Sequence, residues 1–183
     1  MVEILGDVIL RTKKYLIDKF GEDDFNTLIS DLDEDVKDAL SGIIITQKKY
    51  DVKVIQEFLR IIDYKYGRKF LIELTCAVAD QELTGLWGLI VKFVSIERLN
   101  KQANSMFQKF YSEGEVVPIS VDESEIVFEV RDFVFTESHR NVFMYYMGHI
   151  FERVKKKKIM CSSKKIDERT TEFRYFITST AVE

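Results

Sequence analysis

Glu115-Val116-Val117-Pro118-Ile119-Ser120-Val121-Asp122-Glu123-Ser124-Glu125-Ile126-Val127-Phe128-Glu129-Val130-Arg131 is the stretch that decides the fold. Val117, Ile119 and Val121 alternate with Val116, Pro118 and Ser120. Beyond Asp122-Glu123-Ser124, Ile126, Phe128 and Val130 alternate with Glu125, Val127 and Glu129. Side chains along a strand point to opposite faces in turn, so two such runs around three polar residues predict a β-hairpin. Pro118 has no N–H to donate to a ladder, which puts the first strand at a sheet edge.

Toward the C-terminus, Ser138 is placed to cap a helix from His139 to Val154 that carries Val142, Phe143, Tyr146, His149, Ile150 and Arg153 at helical spacing. Lys157 to Ser162 reads as a strand. Thr171 to Thr178 reads as another, with Phe173, Tyr175 and Ile177 on one face. Toward the N-terminus the pattern changes to a period of three to four. A long helix spans Leu89 to Tyr111 through Phe93, Ile96, Leu99, Ala103, Met106, Phe107 and Phe110, and Ser112-Glu113-Gly114 stops it. Gly85 and Gly88 bracket Trp87 before it. Asp51 caps a helix striped by Val52, Ile55, Phe58, Leu59 and Ile62. Gly67 ends it, and Arg68 to Asp80 forms the next. Earlier helices run from Gly6 to Phe20, stopped by Gly21, then from Asp23 or Asp24, and then around Val36 and Leu40 behind the acidic run Asp31 to Asp35. Ile43-Ile44-Ile45 is too short to assign. The result is an α+β fold in one domain, 1–183. A helical lobe over 1–113 precedes a β-β-α-β-β antiparallel-sheet lobe over 114–183.

Composition narrows the function classes. The chain has 183 residues, 46% hydrophobic and 32% charged, a globular balance that excludes disorder. Two cysteines, Cys76 and Cys161, exclude a disulfide framework and a four-cysteine zinc module. Two histidines, His139 and His149, leave few ligands for a metalloenzyme. The net charge of −4, from 27 basic and 31 acidic residues, argues against a nucleic-acid partner. Asp7 and Glu3 stand where a signal peptide needs bases, and Leu86 to Val94 is interrupted by Lys92 and short of the roughly 20 apolar residues of a membrane span. The expectation is a cytoplasmic chain with no membrane partner and reduced thiols. No Walker loop, Gly-x-Gly-x-x-Gly or His-Glu-x-x-His occurs. Ser138 and His139 are adjacent on a helix, where neighbours point apart, so no enzyme activity is expected.

The order of elements carries a resemblance. A first helix ends Lys19-Phe20-Gly21, and the long helix ends Tyr111-Ser112-Glu113-Gly114. The hairpin follows, then the aromatic helix Phe143-Met144-Tyr145-Tyr146-Met147-Gly148, then the strand Phe173-Arg174-Tyr175-Phe176-Ile177. This resembles the superfamily of haem–nitric-oxide/oxygen binding (H-NOX) domains, four-vinyl-reductase domains and palmitate-binding subunits of the TRAPP tethering complex. It is most similar to the haem-domain layout and to a haem-less bacterial branch of about this size. The resemblance covers nearly the whole chain. Haem domains of that family keep a proximal His on the helix before the hairpin, where this chain has Ile96-Glu97-Arg98-Leu99-Asn100-Lys101-Gln102. They also keep a Tyr-x-Ser-x-Arg signature that clamps haem propionates, where this chain has Val130-Arg131-Asp132-Phe133-Val134-Phe135. The resemblance therefore implies the fold without the haem, and no cofactor is expected.

It also implies a ligand site where the lobes meet. Trp87, Phe93, Met106, Phe107, Phe143 and Tyr146 are the hydrophobic-pocket candidates, with Met144 and Met147 beside them. A filled aromatic core is the competing reading, since a ligand needs a cavity of roughly 300 Å³ or more. The implied function is a haem-independent sensor or ligand-binding signalling domain holding a hydrophobic small molecule. The alternative is a ligand-free module that dimerises or docks a signalling protein. Among the remaining features, His149 and Cys161, with Cys76 and His139, are either packed side chains or a zinc set. Cys76 is either a core thiol or an acylation site. Arg153-Val154-Lys155-Lys156-Lys157-Lys158 is either a solvated helix end or a contact for nucleic acid or an acidic partner.

Overall fold

A computed structural model describes the backbone at 2–83 and 96–181 and the side chains at 2–81 and 103–181. Trp87, Phe93, the Gly85 and Gly88 entry and the first part of the long helix lie outside the described residues.

The chain opens with β1 (Glu3–Leu5), paired antiparallel with β2 (Lys49–Asp51). Neither strand is legible in sequence, since three residues are too few to show alternation. Gly6 starts α1 (Gly6–Phe20) in a space with no room for a side chain: a Cβ there would sit 2.3 Å from the Ile45 carbonyl oxygen. Gly21, at φ 89°, ends α1 as expected. It also precedes α2 (Glu22–Ile29) directly, so the start expected at Asp23 or Asp24 comes earlier. Asp33 precedes α3 (Glu34–Ser41) and Gly42 follows it. The isoleucine run then forms a loop in which Ile44 is buried while Ile43 and Ile45 are exposed.

Asp51 Oδ1 accepts from the Lys53 N–H at 2.9 Å at the start of α4 (Val52–Leu83). This helix is one run with a kink, and the kink is Gly67, at φ 81° and ψ 167°. The two helices read from sequence are its two halves. α5 (Ile96–Phe110) leads to the hairpin of β3 (Glu115–Val121) and β4 (Glu125–Arg131). The Asp122 carboxylate accepts from the N–H groups of Ser124 and Glu125 and from the Ser124 hydroxyl, which fixes the turn. α6 (Glu137–Lys155) is followed by β5 (Lys157–Lys165) and β6 (Thr171–Ala181). The sheet is antiparallel in the order β3-β4-β6-β5, so the strand carrying Pro118 is an edge strand.

Ser138 does not cap α6. The helix begins one residue before it, after Thr136, and the Ser138 hydroxyl instead donates to Asp63 at 2.8 Å. Asp63 also holds Arg68 across the Gly67 kink, which ties the bend in α4 to the start of α6. α6 covers one face of the sheet. Its Phe143 meets Phe173 at 5.0 Å between ring centroids, and its Phe151 meets Tyr175 at 5.0 Å. Phe128, Phe173 and Tyr175 are completely enclosed there. Each aromatic side chain buries on the order of 150–250 Å², so this layer supplies much of the hydrophobic stabilisation.

Candidate functional site

Two neighbouring cavities lie along α6. Its residues His139, Phe143, Tyr146 and Ile150 recur at helical spacing and form one wall. The first cavity, about 90 Å³, is also lined by Val8 and Thr12 of α1, by Leu59, Leu74, Thr75 and Val78 of α4, and by Tyr111. The second, about 70 Å³, is closed by Ala103, Met106 and Phe107 of α5 and by Val116, Ile126 and Phe128 of the hairpin. Phe110, Tyr111, Phe143 and Tyr146 line both, so they are the partition between them.

The structure places four of the six candidate residues here. Met106 and Phe107 line the second cavity, and Phe143 and Tyr146 line both. Trp87 and Phe93 lie outside the described residues. Met147 lines the second cavity, whereas Met144 is buried but lines neither. Sequence reasoning missed the α1 and α4 walls. Their signal was present as the apolar stripes of those helices, but a stripe does not say whether the space it faces is filled.

His139 is the polar residue most deeply set in this region. Gln56 Nε2 donates to the Val134 carbonyl at 2.9 Å, which identifies it as the amide nitrogen. The same nitrogen lies 3.4 Å from His139 Nδ1, which therefore accepts. The ring proton is then on Nε2, directed at the Tyr111 hydroxyl 2.9 Å away. Phe133 and Phe135 pack against the ring. Complete burial pushes the imidazole pKa down to about 3, so His139 is neutral at any ordinary pH. Thr12 and Thr75 spend their hydroxyl protons on the carbonyls of Val8 and Leu71, one helical turn back.

Structural comparison identifies the fold. The Fe(II) unliganded H-NOX protein from K. algicida superimposes with a TM-score of 0.72 at 11% identity, covering 97% of this chain and 98% of that one. The fold is that of the H-NOX domains. An oxygen-binding H-NOX domain related to soluble guanylate cyclases, in its oxygen complex, matches with a TM-score of 0.62 at 12% identity over 98% of each chain. No family model matches the sequence, and no curated protein matches it.

Two departures from the H-NOX haem signature now have positions. Ile96 to Gln102 opens α5 and contains no His. Over Val130 to Phe135, β4 ends, Asp132 takes a left-handed backbone at φ 54°, and Phe133 and Phe135 are buried. Phe133 lies 4.9 Å from Tyr111 and 5.4 Å from Phe107 between ring centroids.

The other residues weighed from sequence lie near the C-terminal half of α6, on α6 itself, on α4 and on β5. His149 Nε2 is 2.9 Å from Asp80 of α4, and Arg153 donates to the same carboxylate oxygen at 2.8 Å. Burial raises the Asp80 pKa, but these two hydrogen bonds outweigh it and leave the carboxyl below its ordinary value. Burial pushes the Cys161 thiol up to about 11, and burial followed by the nearby acids raises Cys76. Thiols shifted this way are poor nucleophiles at neutral pH. Among the described residues no three His, Cys, Asp or Glu side chains converge as a metal site. Lys156, Lys157 and Lys158 are exposed at the junction of α6 and β5. No helix among the described residues is long and apolar enough to cross a membrane.

Proposed function

We propose that this chain is a haem-independent ligand-binding domain for signalling. It takes a small hydrophobic molecule into the cavities along α6, and occupancy biases how the α1–α4 side sits against the sheet. The observation that carries the proposal is the pair of apolar cavities inside an H-NOX fold. The domain works in the bacterial cytoplasm and passes its state to a signalling partner or a second copy, without catalysis of its own.

Three features of the described residues support a domain without haem. A haem-sized ligand needs roughly 300 Å³ or more, and about 90 and 70 Å³ divided by four aromatic rings falls well short. Iron would need an open axial ligand. His139, the imidazole on the cavity wall, already has Tyr111 on one nitrogen and Gln56 on the other. Propionates would need cations, and no charged side chain lines either cavity among the described residues.

Native mass spectrometry of gently purified protein tests the proposal. The expected spectrum contains the chain plus one small organic molecule, released on unfolding. A bare chain under every gentle condition, with no small molecule that it takes up on addition, would contradict it and leave a ligand-free interaction module.

A further inference from the structure

The two cavities define the chemistry of the ligand, and this inference rests on the ligand-binding reading above. We infer that the site takes a compact, uncharged, apolar molecule in either of two chambers, and that Phe143 is the partition that limits its length.

The charge argument comes from the walls. Among the described residues none of the lining side chains is charged. The polar ones are already partnered within the protein: Thr12 and Thr75 on backbone carbonyls, His139 between Tyr111 and Gln56. A carboxylate or ammonium entering here would leave water without gaining a counter-charge, a cost of several kcal/mol or more. An uncharged apolar molecule loses nothing of this kind and gains contact with Leu, Val, Phe and Met side chains.

The size argument comes from the volumes. A dry apolar cavity of roughly 150 Å³ takes up benzene or xenon. Each chamber is smaller, at about 90 and about 70 Å³, so a single occupant is of that size or below. A longer molecule must cross the shared wall. Phe143 belongs to that wall with Phe110, Tyr111 and Tyr146, and its ring is edge-on to Phe107 at 5.8 Å and to Phe173 at 5.0 Å between ring centroids. A smaller side chain at 143 joins the chambers.

Methyl NMR tests this. Leu59 and Leu74 report on the first chamber, and Met106 and Met147 on the second. The probes are xenon, benzene, sodium benzoate and naphthalene. Xenon is expected to shift both sets saturably, benzene to compete with it, and benzoate at the same concentration to shift neither. Phe143→Leu is expected to tighten naphthalene binding about tenfold, and it keeps bulk in the core that Phe143→Ala would remove. Benzoate shifting the same methyls, xenon reaching only one chamber, or naphthalene affinity unchanged in Phe143→Leu would each overturn the inference. A charged molecule co-purified in the native mass spectrum would also overturn it while upholding the ligand-binding reading. Silence toward every probe with nothing co-purified overturns both.

Discussion

The two ends of α6 hold the chain's two histidines in opposite surroundings. At the N-terminal end His139 is buried among Phe133, Phe135 and Tyr111 and stays neutral, with its pKa near 3. Toward the C-terminal end His149 shares an Asp80 carboxylate oxygen with Arg153, and exposed lysines follow. The same ring therefore serves once as an apolar body with two satisfied nitrogens and once as a partner in a half-exposed charge cluster. What differs is what the neighbouring elements place opposite it. At the dry end His139 lines the first cavity, whereas at the wet end His149 lines neither.

The comparison breaks first at the dry end. His139→Ala is expected to cost about 3 kcal/mol, because it leaves a void and strips the Tyr111 hydroxyl and Gln56 of a partner. Urea unfolding would show it as a lower midpoint with an unchanged slope. The pH dependence sharpens the point. His139 binds its proton more weakly folded than unfolded, so the unfolded chain charges first as pH falls. Stability is full above about pH 6.5 and declines through the window down to about 3. Between pH 7 and pH 5 this amounts to about 2 kcal/mol, and His139→Gln should flatten that slope in parallel urea titrations.

The wet end responds less. Asp80→Asn is expected to cost under about 1 kcal/mol, since the carboxylate is more than a third exposed and water screens it. The loss should shrink further in high salt. The thiols beside it give the smallest effect. With the Cys161 pKa near 11 and Cys76 also raised, iodoacetamide at pH 7 should label both slowly in the native protein and fully after denaturation. Rapid native labelling of either would place a thiolate where burial forbids one.

Much of the fold is legible in local pattern. The hairpin follows from strict alternation around Asp122, and the kink in α4 and the end of α1 follow from Gly67 and Gly21. Shorter or longer-range features are not. β1 and β2 are too brief to alternate, and Ser138 has a standard capping residue type yet bonds Asp63, far away in sequence. The site divides the same way. Phe143 and Tyr146 announce themselves as an apolar stripe, whereas the role of His139 depends on Tyr111 and Gln56, brought to it only by the tertiary fold. A void cannot be seen in sequence, because it is what the side chains of four helices leave unfilled.

The central claim is that this H-NOX fold holds its ligand without haem. Adding equimolar haem to the purified protein and recording the absorption spectrum tests it most directly. The account predicts the broad spectrum of free haem, unchanged by the protein and unaffected by His139→Gln. A sharp Soret band that saturates at one haem per chain would contradict it.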